Sequence, residues 1–143
     1  MTPMEILLAE DSPADAELIR GAFEENRFAV NLHHVMDGVE ALDYLRRQTP
    51  YEQAARPDLL LLDLNMPRKD GREVLAEIKA DETLKTLPVI VLTTSAAEAD
   101  LEAAYNHHVN AFLTKPVDFD AFMDLIRQIG EFWLTAVRLP GRS

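Results

Sequence analysis

The sequence predicts an α/β fold of the doubly wound kind: a five-stranded parallel sheet with helices on both faces. Three observations predict it. Short continuous apolar runs recur along the 143 residues, and between them lie segments whose apolar residues fall at helical spacing. The run Leu59-Leu60-Leu61-Leu62 has no polar alternation, which fits a strand covered on both faces, as in the middle of a parallel sheet. Strand and helix alternate five times, a pattern that implies right-handed crossovers and two helical layers.

Each element has its own signal. Met4 to Ala9 is strand one, with Glu10 and Asp11 just past its apolar part. Ser12-Pro13 starts a helix, because Ser caps and Pro suits the first turn. That helix runs to about Asn26 with Ala16, Ile19, Ala22 and Phe23 on one stripe. Ala29 to Val35 is strand two, and Asp37-Gly38 turns the chain into a helix bearing Val39, Leu42, Tyr44 and Leu45. Gln48 to Arg56 is a longer polar loop, and strand three spans Asp58 to Leu62 with Asp63 at its end. Arg68-Lys69-Asp70-Gly71 turns into a helix buried through Val74, Leu75 and Ile78. A turn region from Asp81 to Leu87 leads to Val89–Leu92, strand four, which closes on Thr93-Thr94-Ser95. A helix is expected from about Ala97 to His107, with Leu101, Ala104 and Tyr105 inward. Asn110 to Leu113 is strand five, ending at Thr114-Lys115-Pro116. The last helix, capped by Asp118, reaches about Val137, and its stripe of Phe119, Phe122, Ile126, Ile129 and Trp133 faces the sheet. Length and strand count fit the flavodoxin-like order 2-1-3-4-5, although periodicity alone does not fix that order.

By length the chain is one domain, with a core over about 4–130 and a C-terminal extension over about 131–143. Hydrophobic residues at 48% and charged residues at 27% make an ordinary globular balance. No run of eighteen apolar residues is present, so no membrane span is expected. The start Met1-Thr2-Pro3-Met4-Glu5 lacks the basic region of a signal peptide. Without cysteine there is neither a disulfide framework nor a thiolate ligand or nucleophile. These features suit the cytoplasm. A net charge of −11 with scattered basic residues argues against nucleic-acid binding, which depends on neutralising phosphates with Lys and Arg.

In open α/β sheets, ligands bind outside the carboxyl ends of the strands. Strand one ends in Glu10 and Asp11, strand three in Asp63, strand four in Thr93 with Thr94 beside it, and strand five in Lys115. Strand two ends in no such group. With the order 2-1-3-4-5 the contributing strands are neighbours, so these residues converge on one edge. Three carboxylates together repel and need a cation; all-oxygen ligands favour a hard ion, Mg²⁺ before Zn²⁺. Lys115 adds a fixed positive charge and Thr93 a hydroxyl donor. That set suits a phosphoryl group with negative oxygens, and an aspartate can serve as nucleophile and become an aspartyl-phosphate.

Glu10-Asp11, the segment Leu61-Leu62-Asp63-Leu64-Asn65-Met66-Pro67 with Gly71, Thr93 after Pro88-Val89-Ile90-Val91-Leu92, and Lys115-Pro116 stand in order and at matching spacings. Together they resemble the response-regulator receiver domain of bacterial two-component systems, over residues 4 to about 130. The resemblance implies that Asp63 accepts a phosphoryl group from a phosphohistidine on a sensor histidine kinase. It implies that Glu10 and Asp11 hold Mg²⁺, Asp11 more directly, with Asp63 and the backbone carbonyl of Asn65 completing the protein ligands. Thr93 would bond one phosphate oxygen and Lys115 another, the Lys115–Pro116 peptide being cis. Phe112 falls at the aromatic switch position, its ring turning inward when Thr93 moves. The phosphoryl group would then bias a two-state equilibrium of the helix over 97–107 and strand five. Glu10, Thr94 and Phe112 depart from the commoner residues of the family, which are Asp, a smaller residue and Tyr. Asp63 to Leu75, the long loop before strand three and a terminal helix carrying Phe132-Trp133-Leu134 further resemble the small single-domain regulators that partner phytochrome-type histidine kinases. The chain is then a signalling protein that catalyses only its own phosphorylation and dephosphorylation, with no output domain of its own.

Each residue also has a plainer reading. Taken alone, Asp63 reads equally well as a helix or turn cap; Glu10-Asp11 has a plainer reading as part of the turn before Ser12, and Thr93 as an ordinary strand residue. Lys115 alone reads as a surface lysine and Phe112 as a core aromatic. His33-His34 and His107-His108 are poor metal pairs, because adjacent strand side chains point to opposite faces. Leu125 and Phe132 lie off the inward stripe of the last helix, with Leu139 farther on. With Trp133 they form the candidate interface, expected to support a homodimer. Two other function classes stay open. One is a phosphorylation-independent interaction module on the same fold. The other is an Mg²⁺-dependent phosphatase of the haloacid-dehalogenase kind, which resembles Asp-x-Asp at its nucleophile and would need an acid where Asn65 stands. A flavin or nucleotide domain lacks support, since no Gly-rich phosphate loop follows strand one.

Overall fold

The computed structural model describes residues 3–94 and 111–133. Five strands, β1 (Met4–Ala9), β2 (Val30–Val35), β3 (Leu59–Asp63), β4 (Val89–Thr93) and β5 (Ala111–Thr114), form one sheet in the order β2-β1-β3-β4-β5. Every pairing is parallel. The described helices are α1 (Pro13–Glu25), α2 (Gly38–Leu45), α3 (Gly71–Ala80) and α4 (Phe119–Glu131). The helix expected over 97–107, with Leu101, Ala104, Tyr105 and the pair His107-His108, lies outside the described residues, as do Asn110, Leu134 and Leu139.

The four leucines of β3 divide between two cores, as alternation of strand side chains requires. Leu60 and Leu62 join Leu7, Ala9, Val89 and Val91 under α2 and α3, which contribute Leu42, Val74, Leu75 and Ile78. Leu59 and Leu61 join Ile6, Leu8, Ile90 and Leu92 under α1 and α4, which contribute Ile19, Phe23, Phe122, Ile126 and Ile129. A strand apolar on both faces is stable only between two helical layers, and the sheet order makes β3 the central strand.

All four helices start on a capping side chain. Ser12, Asp37, Asp70 and Asp118 accept the backbone N–H of Asp15, Glu40, Glu73 and Ala121 respectively. Each of these residues satisfies a donor that the first helical turn leaves open.

Several expectations need correction. Strand β3 starts and ends one residue later than the expected Asp58–Leu62, because ladder pairing continues through Asp63, opposite Leu92. Asp58 instead accepts the N–H of Glu5 at 2.9 Å, tying the entry of β3 to β1. Phe119 has the right spacing for the inward stripe of α4 yet is 55% exposed. It opens the helix, where the neighbouring positions 117, 118, 120 and 121 are exposed as well, so no sheet lies beneath it. Trp133 turns into the core and is only 8% exposed, and Leu125 packs partly against the same core. Of the three proposed interface side chains Phe132, 56% exposed, is the most open to a partner, Leu125 is half-buried and Trp133 is buried. The cis peptide among the described residues is Thr49–Pro50, not Lys115–Pro116. The two X-Pro isomers lie within about 1 kcal/mol of each other, so residue type alone does not choose between them. No described helix is long and apolar enough to cross a membrane.

Candidate functional site

The carboxyl edge of the sheet gathers the expected residues. Glu10 is held by its backbone, whose N–H donates to the Val35 carbonyl at 3.0 Å. Its own carbonyl accepts from His34 Nε2 at 2.7 Å. His33 bonds Glu5 Oε1 at 3.0 Å instead, so the two histidines take separate partners, as strand alternation predicts. Asp63 ends the central strand, and its Oδ1 accepts the Asn65 N–H at 3.2 Å. The chain then folds back so that Gly71 N–H donates to the Leu64 carbonyl at 2.9 Å. A Cβ on Gly71 would lie 2.5 Å from the Asp63 carbonyl oxygen. The close approach explains why glycine stands there.

Lys115 is placed by its backbone N–H, which donates to the Thr93 carbonyl at 2.8 Å. Its ammonium donates to Glu10 Oε1 and to Asp15 Oδ2, the latter at 3.1 Å, and lies 3.8 Å from Asp63 Oδ2. Glu10 Oε2 accepts the N–H of Ser12 at 3.1 Å. Thr93 is fully buried, and its hydroxyl oxygen accepts from Asn65 Nδ2 at 3.1 Å. Thr94 is exposed beside it. Phe112 is half-buried on β5 opposite Val91, packed against the core on the α2–α3 face.

Burial dominates the electrostatics. It pushes the Glu10 carboxyl up to about 7, against the Lys115 hydrogen bond and charge, while the Asp63 charge adds to the rise. Asp63 is also raised, first by burial, with Lys115 and the Asn65 N–H pulling the other way. Burial by itself would lower Lys115, but its bond to Glu10 and the charges around it outweigh that and raise it. The ammonium therefore stays charged at neutral pH, and the two buried carboxyls hold protons more readily than free ones.

Glu10, Asp11 and Asp63 each offer an oxygen, and these atoms lie within 4.8 Å of one another. Among the described residues this is the group suited to a metal. Three carboxylates beside one ammonium leave negative charge uncompensated. An all-oxygen donor set fits a hard divalent cation such as Mg²⁺. The sequence had already assembled Glu10, Asp11, Asp63, Thr93 and Lys115. It missed Asp15, the Asn65 side chain and His34. Asp15 sits in the first helical turn, where an acidic residue needs no further explanation. His34 is weighed in the sequence only as half of a poor metal pair with His33, and its bond to the Glu10 carbonyl has no sequence signal. The Asn65 amide could have been suspected from its place two residues after Asp63.

Comparison with known proteins matches this geometry. The model of the response regulator receiver domain matches residues 6–127. Response regulator Rcp1 of Synechocystis sp. is 46% identical over 138 residues, covering 96% of this chain and 94% of Rcp1. The crystal structure of the phosphorylated cyanobacterial phytochrome response regulator RcpA superposes with a TM-score of 0.94 at 46% identity, covering 98% of this chain and all, 100%, of that one. The Mn²⁺-bound form of Rcp1 superposes with a TM-score of 0.93 at 46% identity, covering 97% of this chain and 100% of that one. With a parallel sheet in the order β2-β1-β3-β4-β5 and a carboxylate–ammonium–hydroxyl edge, the chain belongs to the response regulator receiver domain family.

Proposed function

We propose that Asp63 is the phosphoacceptor of a phosphorelay and that the chain as a whole is a single receiver. An Asp63 carboxylate oxygen attacks the phosphorus of a phosphohistidine. The new acyl O–P bond forms as the P–N bond breaks, and the imidazole leaves with the electron pair and takes up a proton. Glu10, Asp11, Asp63 and the Asn65 carbonyl hold Mg²⁺, which when bound offsets the repulsion between the Asp63 carboxylate and the incoming phosphoryl oxygens. Lys115 is charged and already within 3.8 Å of Asp63, so its ammonium meets a phosphoryl oxygen with little movement. Thr93 gives up its bond from Asn65 and donates its hydroxyl proton to another. Phe112 then follows Thr93 as the switch. The observation that carries the reading is the convergence of Glu10, Asp11 and Asp63 at the end of the central strand, with the buried Lys115 ammonium against Glu10 and Asp63.

The kinase partner we assign is a sensor histidine kinase of the phytochrome type, supported by the 46% identity to a phytochrome response regulator. The work takes place in the cytoplasm, with no nucleic-acid or membrane partner. The chain turns over no substrate beyond its own phosphoryl group. The homodimer contact we assign centres on the exposed Phe132, with the half-buried Leu125 beside it and Trp133 behind it in the core. Incubation with a small phosphodonor tests the chemistry. The account expects incorporation that is lost with a chelator and released by hydroxylamine, as an acyl phosphate must be. Incorporation that resists hydroxylamine, or proceeds without a divalent ion, contradicts it.

A further inference from the structure

We propose that Asp15 is a positioning residue for Lys115, and through it for phosphoryl transfer to Asp63; the inference deepens the proposed function and rests on it. Asp15 stands in the first turn of α1, where its N–H is tied to Ser12 Oγ at 3.2 Å. The Ser12 carbonyl accepts the next N–H along the turn, from Ala16, at 3.0 Å. The backbone carrying Asp15 is thus fixed by the helix cap. From there Oδ2 accepts a hydrogen bond from Lys115 Nζ at 3.1 Å, between residues 100 apart in the chain.

Three carboxylates face this ammonium, and they are not equivalent. Glu10 and Asp63 belong with Asp11 to the compact group suited to a divalent cation; Asp15 does not. A carboxylate oxygen turned to a cation has less charge left for a neighbouring ammonium. Asp15 is therefore the partner that keeps its full hold on Lys115 when the other two are engaged. The Lys115 side chain is 4% exposed and that of Asp15 30% exposed. The bond is thus sheltered at its Lys115 end, although Asp15 itself is partly open to water. A lysine stem is flexible, and its ammonium has three donors. With one donor anchored on Asp15, the head group stays beside Asp63 with the others free for Glu10 or a phosphoryl oxygen. A cation held in place needs no rearrangement when charge develops on the transferring group.

The test uses the full chain, acetyl phosphate as phosphodonor, and the variants Asp15→Ala and Asp15→Asn. Phosphorylation rate is measured at saturating Mg²⁺, and the Mg²⁺ Kd is measured by calorimetry on the unphosphorylated protein. Asp15→Ala is expected to slow phosphorylation about tenfold, the scale of one lost charge-assisted hydrogen bond, with the Mg²⁺ Kd unchanged. Asp15→Asn, whose amide oxygen accepts the same bond, recovers most of the rate. The Lys115 ammonium protons give a readout independent of phosphoryl transfer: protection from exchange is retained in Asp15→Asn and lost in Asp15→Ala. A wild-type rate in Asp15→Ala overturns the proposal. So does an equal loss in both variants, or a loss that tracks the Kd. If the wild type itself gains no phosphoryl group, the failure belongs to the assignment of Asp63, and that is seen before either variant is compared.

Discussion

Burial holds Glu10 at about 7, well above its ordinary 4.5, and this one residue makes stability and metal binding depend on pH. Between those two values the folded, metal-free protein keeps a proton on Glu10 that the unfolded chain has released. The native state then binds more protons than the unfolded one, so stability falls as pH rises through the window. A divalent cation requires the charged carboxylate and displaces that proton. Mg²⁺ should therefore raise the melting temperature more at pH 8 than at pH 5, with protons released on binding. Melting curves with and without Mg²⁺ at both pH values check this; an equal gain at the two contradicts it. Residues of this kind were partly legible in the sequence. Glu10, Asp63 and Lys115 each follow an apolar run, and their position alone sends them to one edge. Asp15 was hidden because its partner is set by how α1 lies against the end of β5, which no local pattern encodes.

Among the elements, the turn from β3 into α3 is tight beside the site. A Cβ on Gly71 would lie 2.7 Å from Leu64 Cα as well as 2.5 Å from the Asp63 carbonyl oxygen. Gly71→Ala must push backbone away from Asp63, because neither neighbour is the end of a flexible side chain. A loss of about 1–3 kcal/mol is expected, typical of overpacking a tight site, and urea unfolding measures it. An unchanged midpoint would mean that the turn has slack. The helices themselves were readable from caps and stripes: Ser12, Asp37, Asp70 and Asp118 all lie where a polar residue precedes a periodic segment. What periodicity cannot report is where the partner surface ends. Phe119 matched the stripe of α4 but opens a first turn exposed at Asp118, Asp120 and Ala121. Trp133, at the other end, still finds the core.

For the whole molecule, the parallel sheet follows from the alternation of strand and helix together with the doubly apolar β3. The strand order needed more than periodicity. Length and strand count suggest it, and the polar residues that end β1, β3, β4 and β5 agree with it. Assembly is the property the chain reveals least. Phe132 is exposed and rests edge-on against Trp133, with ring centroids 5.5 Å apart. If this surface joins two copies, the protein elutes as a dimer in size exclusion, and Phe132→Asp makes it a monomer with an unchanged circular dichroism spectrum. A monomeric wild type, or a dimer indifferent to the substitution, removes this surface from the account.

The proposal that Asp63 carries the phosphoryl group rests on the fold, the metal group and the buried ammonium together. Intact mass of the wild type and Asp63→Asn, each incubated with a phosphodonor and Mg²⁺, tests that most directly. The wild type should gain the mass of one phosphoryl group and Asp63→Asn none. No gain in the wild type, or an equal gain in the variant, would contradict it.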